Sequence, residues 1–355
     1  MYSLLLGNGD GSFQITIPIP VNDIESFAVG DFNGDGKLDL LLNPVQYETP
    51  GAFYTMLGNG NGKFGEAVNA TLFQADASKL LVGDFNGDGK LDVAVGGYPN
   101  SFSVLLGNGD GTFQALTPIS LNEETLCGEV GDFNQDRKLD LLACANNDVG
   151  IGVLLGKGDG TFQAPTTLAP LTFGPVDIAV ADLNGDGKLD LIAVASTGSV
   201  AILPGNGDGT FQPAVTYPVG SEPLSQAMIG DFNADGKLDL ALPGTTNLYI
   251  LFGNGDGTLQ APQAFVAQAG LGAVGDFIQA RTPDIAMNTY ANDGSLNVAI
   301  LLQQTPKSDF SPLSLAFGSE IVNSSSSPPE NHPHQRWLLR AGHRVDTDWR
   351  RLLPD

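Results

Sequence analysis

Short apolar runs alternate with polar bends along most of the chain. The runs are four to six residues long and rich in Val, Ile, Leu and Phe, as in 27–30 and 38–42, and the bends are rich in Gly, Asn and Asp. Runs of this length, closed at both ends by turn residues, are typical of β-strands, whereas helices need longer periodic segments. The pattern therefore predicts an all-β chain with tight turns.

Two motifs recur on one period. The first, Asp-Phe-Asn-Gly-Asp-Gly-Lys-Leu-Asp or a near copy, stands between two strands and is called the Asp loop, with positions 1 to 9. Its copies begin at Asp31, Asp84, Asp132, Asp182 and Asp231, and a decayed sixth begins at Asp276. The second, Leu-Gly-Asn-Gly-Asp-Gly-Thr-Phe-Gln, is called the Gly turn and begins at Leu6, Leu57, Leu106 and Leu155, with variants at 203–205 and 252–253. The Asp loops are 45 to 53 residues apart, a spacing typical of propeller blades.

Each period contains four strand-like runs, which flank the Asp loop and then the Gly turn. Four strands per period predict a β-propeller of four-stranded blades. The chain contains five complete periods. Before them stand two runs, near 2–6 and 13–17, that match the third and fourth strands of a period. After them stand runs that match strands one to three of a sixth period, which ends near 301–302. The ends are thus incomplete, and six or seven blades fit. The N-terminal fourth strand could complete the sixth blade, although we expect the chain to be part of a longer gene product or to begin too late.

The composition changes after about residue 305. All three His, both Trp and five of the seven Arg lie in the last 24 residues. We expect a propeller over 1–304. Over 305–355 we expect the start of a truncated Ig-like segment, near 310–324, followed by a disordered tail.

The Asp loops carry oxygen ligands at alternate positions. In the first copy these are the side chains of Asp31, Asn33, Asp35 and Asp39, together with the backbone carbonyl of Lys37. Hard oxygen ligands in this number suit Ca²⁺, and Gly at position 6 permits the positive φ of a sharp turn. An EF-hand is excluded because position 12 is never Glu and the flanks are strand-like. The predicted calcium ligands in the other copies are Asp84, Asn86, Asp88, Lys90 and Asp92; Asp132, Asn134, Asp136, Lys138 and Asp140; Asp182, Asn184, Asp186, Lys188 and Asp190; and Asp231, Asn233, Asp235, Lys237 and Asp239.

The alternative is that these loops are only Asx turns. That explains the Gly residues but not carboxylates at positions 1, 5 and 9 in five copies. The Gly turns carry no more than one Asp each, so a purely structural role is expected for them. In the third loop Arg137 occupies position 6, where a side chain at positive φ costs about 1 kcal/mol, and we expect a weaker site. The sixth loop should bind no calcium, and we hypothesise that Arg281 replaces the cation by pairing with Asp276 or Asp284.

The acidity of the chain is concentrated in Asp. Among its 355 residues, 31 Asp stand against 9 Glu, and the net charge is −24. This charge disfavours nucleic acid as a partner. The sequence contains no run of about 18 apolar residues, so a membrane span is not expected. Cys127 and Cys144 flank the third Asp loop and could form a hairpin disulfide, although two buried thiols are the commoner case.

These motifs resemble the FG-GAP and VCBS-type repeats, which form the blades of the integrin α-chain head and of many bacterial surface proteins. The resemblance covers about residues 2 to 303. It implies that the five intact Asp loops bind calcium. It also implies an adhesion or binding scaffold that is secreted or exposed at the cell surface, and it is silent about the ligand.

The two faces of such a propeller differ in sequence. Because neighbouring strands are antiparallel, the Asp loops and Gly turns share one face and the remaining connections share the other. The second face is variable and carries Tyr and Asn, which suit contacts with a polysaccharide or an extracellular protein. The candidate ligand-face residues are Tyr47, Tyr98, Asn146, Asn147, Tyr290 and Asn292. The alternative at each position is an ordinary polar loop residue.

A polysaccharide lyase or a glycosidase on a calcium-loaded propeller is the main alternative function. A lyase needs a base and cationic groups, but no His precedes residue 332 and both Arg before the tail lie in Asp loops. A glycosidase needs two paired carboxylates, and no pattern pairs the available ones. The carboxylates without an assigned role are Glu123, Glu124, Glu129 and Glu222. We therefore expect a protein without catalytic activity.

Overall fold

The computed structural model describes residues 2–10, 12–14, 17–19, 24–44, 52–72, 76–98, 101–115, 119–120, 125–145, 150–168, 171, 173–266, 270–278, 283–290, 296–302 and 318–322. These ranges consist of strands and turns without a helix, as the sequence predicts. Within them there is accordingly no helix of the length and hydropathy needed to span a bilayer.

The strands form one two-stranded sheet and six larger ones. The first, called the half-blade, pairs β1 (Tyr2–Leu4) with β2 (Ile17–Ile19). Blade 1 contains β3 (Ile24–Gly30), β4 (Asp39–Pro44), β5 (Ala52–Met56) and β6 (Val68–Leu72). Blade 2 contains β7 (Asp76–Gly83), β8 (Asp92–Tyr98), β9 (Ser101–Gly107) and a fourth strand divided into β10 (Phe113–Ala115) and β11 (Ile119–Ser120). Blade 3 contains β12 (Thr125–Gly131), β13 (Asp140–Ala145), β14 (Ile151–Leu154) and β15 (Thr166–Thr167).

The remaining three blades repeat this arrangement. Blade 4 contains β16 (Pro175–Ala181), β17 (Asp190–Ala195), β18 (Ser199–Leu203) and β19 (Val215–Pro218). Blade 5 contains β20 (Met228–Gly230), β21 (Asp239–Pro243), β22 (Asn247–Leu251) and β23 (Gln263–Val266). Blade 6 contains β24 (Gly272–Gly275), β25 (Asp284–Tyr290), β26 (Leu296–Leu302) and β27 (Gly318–Val322).

The blades are arranged as a propeller. Strands within each blade pair antiparallel in chain order. The first strands of neighbouring blades contact each other: β3 contacts β7, and β7 contacts β12. First strands therefore line the centre and fourth strands form the rim. The second strand is the most buried, with every residue of β17 buried, whereas Val215 in the rim strand β19 is 50% exposed. The predicted fold is confirmed, and the core lies between the sheets.

The half-blade occupies a seventh position in the ring. In complete interfaces the Phe at loop position 2 packs on a Phe of the next blade's Gly turn, with ring centroids 5.5 to 6.0 Å apart in Phe32–Phe113, Phe85–Phe162 and Phe133–Phe211. Phe277 of blade 6 makes the same contact with Phe13 of the half-blade at 6.0 Å. On its other side, Leu6 lies against Gly62 of blade 1 as Leu57 lies against Gly111 of blade 2. The half-blade therefore lies between blade 6 and blade 1.

Blade 6 obtains its fourth strand from the C-terminal part of the chain. β27 pairs with β26, with Val298 opposite Val322 and Leu302 opposite Gly318. The sequence suggested that the N-terminal fourth strand could fill this place and that an Ig-like segment covers the region near 310–324. In the structure β2 pairs with β1 instead, and β27 belongs to the propeller sheet. The rest of the predicted tail, 305–317 and 323–355, lies outside the described residues.

A disulfide joins the first two strands of blade 3. Cys127 of β12 is directly opposite Cys144 of β13, with Cα atoms 5.2 Å apart, and both side chains are buried. The sequence left this pairing open because it depends on the strand register. The link closes the hairpin that carries the third Asp loop.

Candidate metal centres and the opposite face

The Asp loop is a tight bend with two residues at positive φ. In the first copy Gly34 at position 4 has a φ of 73° and Gly36 at position 6 has a φ of 82°. A Cβ added to either residue would meet no atom within 4 Å, so Gly is required for backbone conformation and not for space. The sequence predicted position 6 but not position 4. Three other residues adopt positive φ without being Gly, namely Gln135 at 60°, Arg137 at 66° and Ala234 at 60°.

Arg137→Gly is expected to stabilise the third loop. The left-handed conformation costs a side-chain residue about 1–2 kcal/mol, and the flexibility of Gly in the unfolded chain offsets about 0.5–1 kcal/mol. The free energy of unfolding should therefore rise by about 0.5–1 kcal/mol, measured by urea denaturation in chelator. Gly36→Ala is the matched reverse change and should lower it. A less stable Arg137→Gly protein would contradict this account of the loop.

Oxygens from loop positions 1 and 3 converge on one backbone group. Asp31 Oδ1 accepts the N–H of Asp35 at 3.1 Å, and Asn33 Oδ1 accepts the same N–H at 3.0 Å. Asp31 Oδ2 accepts the N–H of Gly36 at 2.8 Å. The shared N–H recurs in the other loops, where it belongs to Asp88, Asp136, Asp186 and Asp235. The loop thus gathers its first two predicted ligands at one point.

The carboxylate at position 5 is paired with the Lys at position 7. Asp35 Oδ1 accepts the Lys37 N–H at 3.0 Å, and Lys37 Nζ lies 2.8 Å from Asp35 Oδ2. The same ion pair measures 3.4 to 3.7 Å in the other four loops. The hydrogen bond from Lys37 lowers the pKa of Asp35 and raises the pKa of Lys37 itself. The pair is exposed and adds little stability.

The Asp at position 9 links the two motifs of each blade. Asp39 is fully buried, its Oδ2 accepts the N–H of Phe32 at 2.9 Å, and its Oδ1 accepts the N–H of Gly58 in the Gly turn at 2.7 Å. The equivalents are Asp92, Asp140, Asp190 and Asp239, which bond Gly107, Gly156, Gly205 and Gly253. The sequence assigned this residue only a ligand role. The structure adds that it joins the Asp loop to the Gly turn.

Burial raises the pKa of these position 9 residues. Desolvation raises the pKa of Asp39, and the hydrogen bonds from Gly58 and Phe32 offset only part of it. The same causes raise the pKa of Asp140 and of Asp239 to about 6. Each oxygen uses one lone pair for an N–H and retains another, so a cation beside these carboxylates would favour their charged form.

The Gly turns have a structural role. A Cβ on Gly58 would overlap the carbonyl oxygen of Leu38, and the same overlap recurs at Gly107, Gly156, Gly205 and Gly253. Where a turn carries an Asp, its carboxylate binds within the turn, as Asp110 Oδ1 accepts the N–H and O–H of Thr112 at 2.9 and 2.6 Å. These bonds lower the pKa of Asp110. The turn's Asp is therefore occupied in holding the turn, as the sequence suggested.

The decayed sixth loop keeps one part of this arrangement. Asp284 is fully buried, and its Oδ2 accepts the N–H of Phe277 at 2.9 Å. The hypothesis that Arg281 pairs with Asp276 or Asp284 concerns a residue outside the described ranges. The bond from position 9 to the N–H of position 2 is thus retained in a loop that lacks oxygen side chains at positions 3 and 5.

The potential ligand atoms of the five intact loops are all oxygens, which is the donor type that a hard cation prefers. Asp, Asn and Asp oxygens at positions 1, 3 and 5 lie on one bend with a carbonyl at position 7, and position 9 keeps free lone pairs. In the described part of the chain no three carboxylate, imidazole or thiol groups are drawn together as a preformed cluster. The carboxylates instead accept the loop's own N–H groups and the ammonium of Lys.

Two of the six predicted ligand residues reach the face opposite the Asp loops. Tyr98 and Tyr290 end the second strands β8 and β25, which begin at the Asp loop, so their backbones reach the opposite face as expected. Their side chains lie outside the described part, as do Tyr47, Asn146, Asn147 and Asn292 in full. Glu123 and Glu124 also lie outside it.

A polar cluster around Glu222 is the best described part of this face. Glu222 Oε2 accepts the Thr245 hydroxyl at 2.7 Å and both the N–H and hydroxyl of Thr246 at 2.7 and 2.8 Å. Its Oε1 accepts Asn247 Nδ2 and the Tyr249 hydroxyl, each at 2.7 Å. Burial raises the pKa of Glu222, but these bonds together outweigh it and lower the pKa to about 2. The carboxylate therefore holds the turn between β21 and β22, a role that the sequence missed.

Glu222→Gln is expected to destabilise the protein at neutral pH and not in strong acid. The folded-state pKa of about 2 lies below the ordinary 4.5, so the stabilisation is fully present above pH 4.5 and is lost as pH falls through about 2. After allowance for solvent screening, the variant should lose about 1 kcal/mol at pH 7. Urea denaturation of both proteins between pH 7 and pH 2 checks this, and a difference that grows with acid would contradict it.

Comparison with known proteins was consistent with this architecture. A family model described as an FG-GAP-like repeat matches residues 2–42, 84–143, 132–193 and 187–242, more than half of the chain. No curated protein matched the sequence significantly.

Similar solved structures include two lectins. One, from Agrocybe aegerita and described as recognising non-reducing terminal N-acetylglucosamine, has 17% identity and a TM-score of 0.63, covering 89% of this chain and 87% of that one. The BP39L lectin from Burkholderia pseudomallei has 14% identity and a TM-score of 0.60, covering 86% and 92%. BBS1N, solved in complex with ARL6DN, has 11% identity and a TM-score of 0.55, covering 83% and 87%. At these identities the likeness concerns the fold.

Proposed function

Because the chain belongs to the FG-GAP-like repeat family, we propose that it is a calcium-stabilised, extracellular β-propeller that binds a glycan or a protein through the face opposite its Asp loops. The observation that carries this proposal is the difference between the two faces. One face repeats the Asp loop and the Gly turn, joined by the position 9 Asp, in five blades. The other face is variable in sequence and rich in Tyr and Asn, which is the composition of a recognition surface.

Calcium would be held on the repeated face. The side chains at positions 1, 3 and 5 and the carbonyl at position 7 would bind the ion, and the position 9 carboxylate would approach it with its free lone pairs. A bound Ca²⁺ would neutralise the repulsion among the loop carboxylates and stabilise each hairpin. The ammonium at position 7, which occupies part of the position 5 carboxylate, would have to give way.

The disulfide in blade 3 fits a protein of an oxidising compartment. The Cys127–Cys144 disulfide is typical of secreted and surface proteins and rare in the cytosol. A net charge of −24 favours solubility and disfavours anionic partners. The disulfide supports a place outside the cell.

A glycan is the favoured ligand class. Two of the similar folds are lectins, one described as recognising N-acetylglucosamine, and the variable face offers the aromatic and amide side chains that bind sugars. A binding role is favoured over catalysis because Glu129 is buried in β12 and Glu222 is occupied by five hydrogen bonds. These two carboxylates are poorly suited to an acid–base pair.

A glycan array with matched variants tests the proposal. The purified protein should bind a limited set of glycans, with N-acetylglucosamine-terminated ones included as the first candidates. Tyr98→Ala with Tyr290→Ala on the variable face should lower the affinity at least tenfold, while Asp110→Asn on the repeated face should leave it unchanged. Failure to bind any glycan or surface protein, cleavage of a polysaccharide, or binding lost only in Asp110→Asn would contradict the proposal.

A further inference from the structure

One side chain bridges two neighbouring Asp loops. Gln135 at position 4 of the third loop donates from Nε2 to the carbonyl oxygen of Gly187, at position 6 of the fourth loop, at 3.0 Å. Its Oε1 lies beside the Gly turn of blade 4, where a Cβ added to Gly207 would come within 3.2 Å of it. The side chain therefore crosses from blade 3 to blade 4 on the repeated face.

Position 4 of the Asp loop is an unfavourable place for a long side chain. Gln135 has a φ of 60°, in the left-handed region, where a side chain is costly and Gly is not. Gly34, Gly87 and Gly185 hold this position in the first, second and fourth loops. Ala234 holds it in the fifth loop, and its methyl group cannot form a hydrogen bond. Among the five intact loops, the third is thus the one whose position 4 side chain can bind a neighbouring loop.

The bond acts on the part of the fourth loop that contains predicted ligands. The N–H of Gly187 is donated to Asp182 Oδ2 at 2.8 Å, and the N–H of Lys188 is donated to Asp186 Oδ1 at 3.0 Å. The peptide group between Gly187 and Lys188 is therefore held at both ends, by Gln135 at its carbonyl and by the position 5 carboxylate at its N–H. The next carbonyl along the chain is the predicted position 7 ligand. Gln135 thus helps to fix the orientation of positions 5 and 7 relative to each other.

The same bond restrains the predicted ligands of the third loop. Gln135 stands between Asn134 and Asp136, and the N–H of Asp136 is shared by oxygens of Asp132 and Asn134, each at 3.0 Å. A side chain held on blade 4 therefore restrains the backbone from position 3 to position 5. Position 6 of this loop is Arg137, a second side-chain residue in the left-handed region, with a φ of 66°. The intact loop with the most side-chain residues at positive φ is thus the one that is held from outside.

We infer that Gln135 couples the third and fourth loops, so that Ca²⁺ bound in either loop strengthens binding in the other. This coupling rests on the proposed calcium binding of the Asp loops. An ion in the fourth loop fixes the peptide group that accepts from Gln135, which strengthens the restraint on the third loop and lowers the cost of ordering it. Because coupling between two sites is reciprocal, an ion in the third loop has the same effect on the fourth. A single exposed hydrogen bond limits the effect to about threefold to tenfold in affinity.

A calcium titration of the isotope-labelled protein, followed by NMR, reads each loop separately at its position 6 amide. The third loop is expected to fill last, so its affinity, read at Arg137, includes the contribution of the filled fourth loop. Disabling the fourth loop with Asp182→Asn and Asp186→Asn should therefore raise the dissociation constant read at Arg137 by about threefold to tenfold. The two substitutions remove as much negative charge as a bound Ca²⁺ neutralises, so the electrostatic effect on the third loop is matched.

Gln135→Met separates the hydrogen bond from the backbone conformation. Methionine keeps the length of the side chain and its cost at positive φ, but it cannot donate to the carbonyl of Gly187. Disabling the fourth loop in this background should therefore leave the dissociation constant read at Arg137 unchanged. Gln135→Gly, which restores the residue of the other loops, should do the same. Ala234→Gly makes the equivalent backbone change in the fifth loop, is the matched control, and should preserve the full effect.

The possible results distinguish the coupling from calcium binding itself. An equal rise at Arg137 in the parent and in Gln135→Met would overturn the inference and leave the calcium proposal standing, and so would the absence of any rise in the parent. A protein in which no position 6 amide responds to calcium would overturn both.

Discussion

Asp190→Ala is expected to lower the free energy of unfolding by about 3–5 kcal/mol. Asp190 is fully buried, and its two oxygens accept the N–H of Leu183 at 3.0 Å and of Gly205 at 2.9 Å. Removing the carboxylate leaves two buried donors unpaired, each costing about 1–3 kcal/mol, and opens a small cavity. Burial also raises the pKa of Asp190, and loss of that unfavourable charge offsets part of the cost.

Urea denaturation in chelator measures this effect apart from any metal. Asp208→Ala is the control, because Asp208 is an exposed carboxylate that bonds only within its own Gly turn, and it should cost less than about 1 kcal/mol. Asp190→Asn should fall between the two, since the amide keeps one acceptor. A loss below 1 kcal/mol for Asp190→Ala would show that the position 9 residue does not link the two motifs.

Calcium is expected to raise the melting temperature by about 10 °C or more at millimolar concentration. A ligand at 100 times its dissociation constant stabilises the folded state by about 2.7 kcal/mol for each site. Five loops of the same design supply several such contributions, and about 1 kcal/mol corresponds to roughly 2 °C in a domain of this size. The physical cause would be the neutralisation of one half-buried, one exposed and one buried carboxylate within each bend.

Differential scanning calorimetry with calcium, with magnesium and with chelator at matched ionic strength checks this expectation. Magnesium should give a much smaller shift, because it requires strict octahedral geometry and dehydrates reluctantly. Asp182→Asn together with Asp186→Asn removes two ligand charges from the fourth loop alone and should reduce the calcium-dependent shift without abolishing it. Equal melting temperatures in calcium and chelator would contradict the stabilising role.

The local pattern of the chain was sufficient to predict the blades and the bends. Asp loops and Gly turns carry their own conformational requirements, such as the positive φ at Gly36, and these are visible in any single copy. The requirement at position 4 was harder to see, because Gln135 and Ala234 occupy that place in two copies and hide it. The structure shows that both adopt the same left-handed conformation as Gly34.

Features that depend on tertiary contacts could not be predicted. In the sequence, the Asp at position 9 of each Asp loop has the pattern of a metal ligand. Its bond to a Gly turn 14 to 19 residues later depends on how the two hairpins stack, which the sequence does not show. The strand β27 carries no repeat motif that would mark it in the sequence. The donors of Glu222 converge only after β21 and β22 fold against each other.

Equilibrium dialysis with radioactive calcium would count the ions bound by each chain and test the central claim most directly. We expect about five ions, one for each intact Asp loop, with the loop that contains Arg137 filling last and the decayed sixth loop binding none. Asp182→Asn with Asp186→Asn should remove one ion from this count. A chain that binds no calcium at millimolar concentration, or that binds the same number after this substitution, would show that the Asp loops are turns and not metal sites.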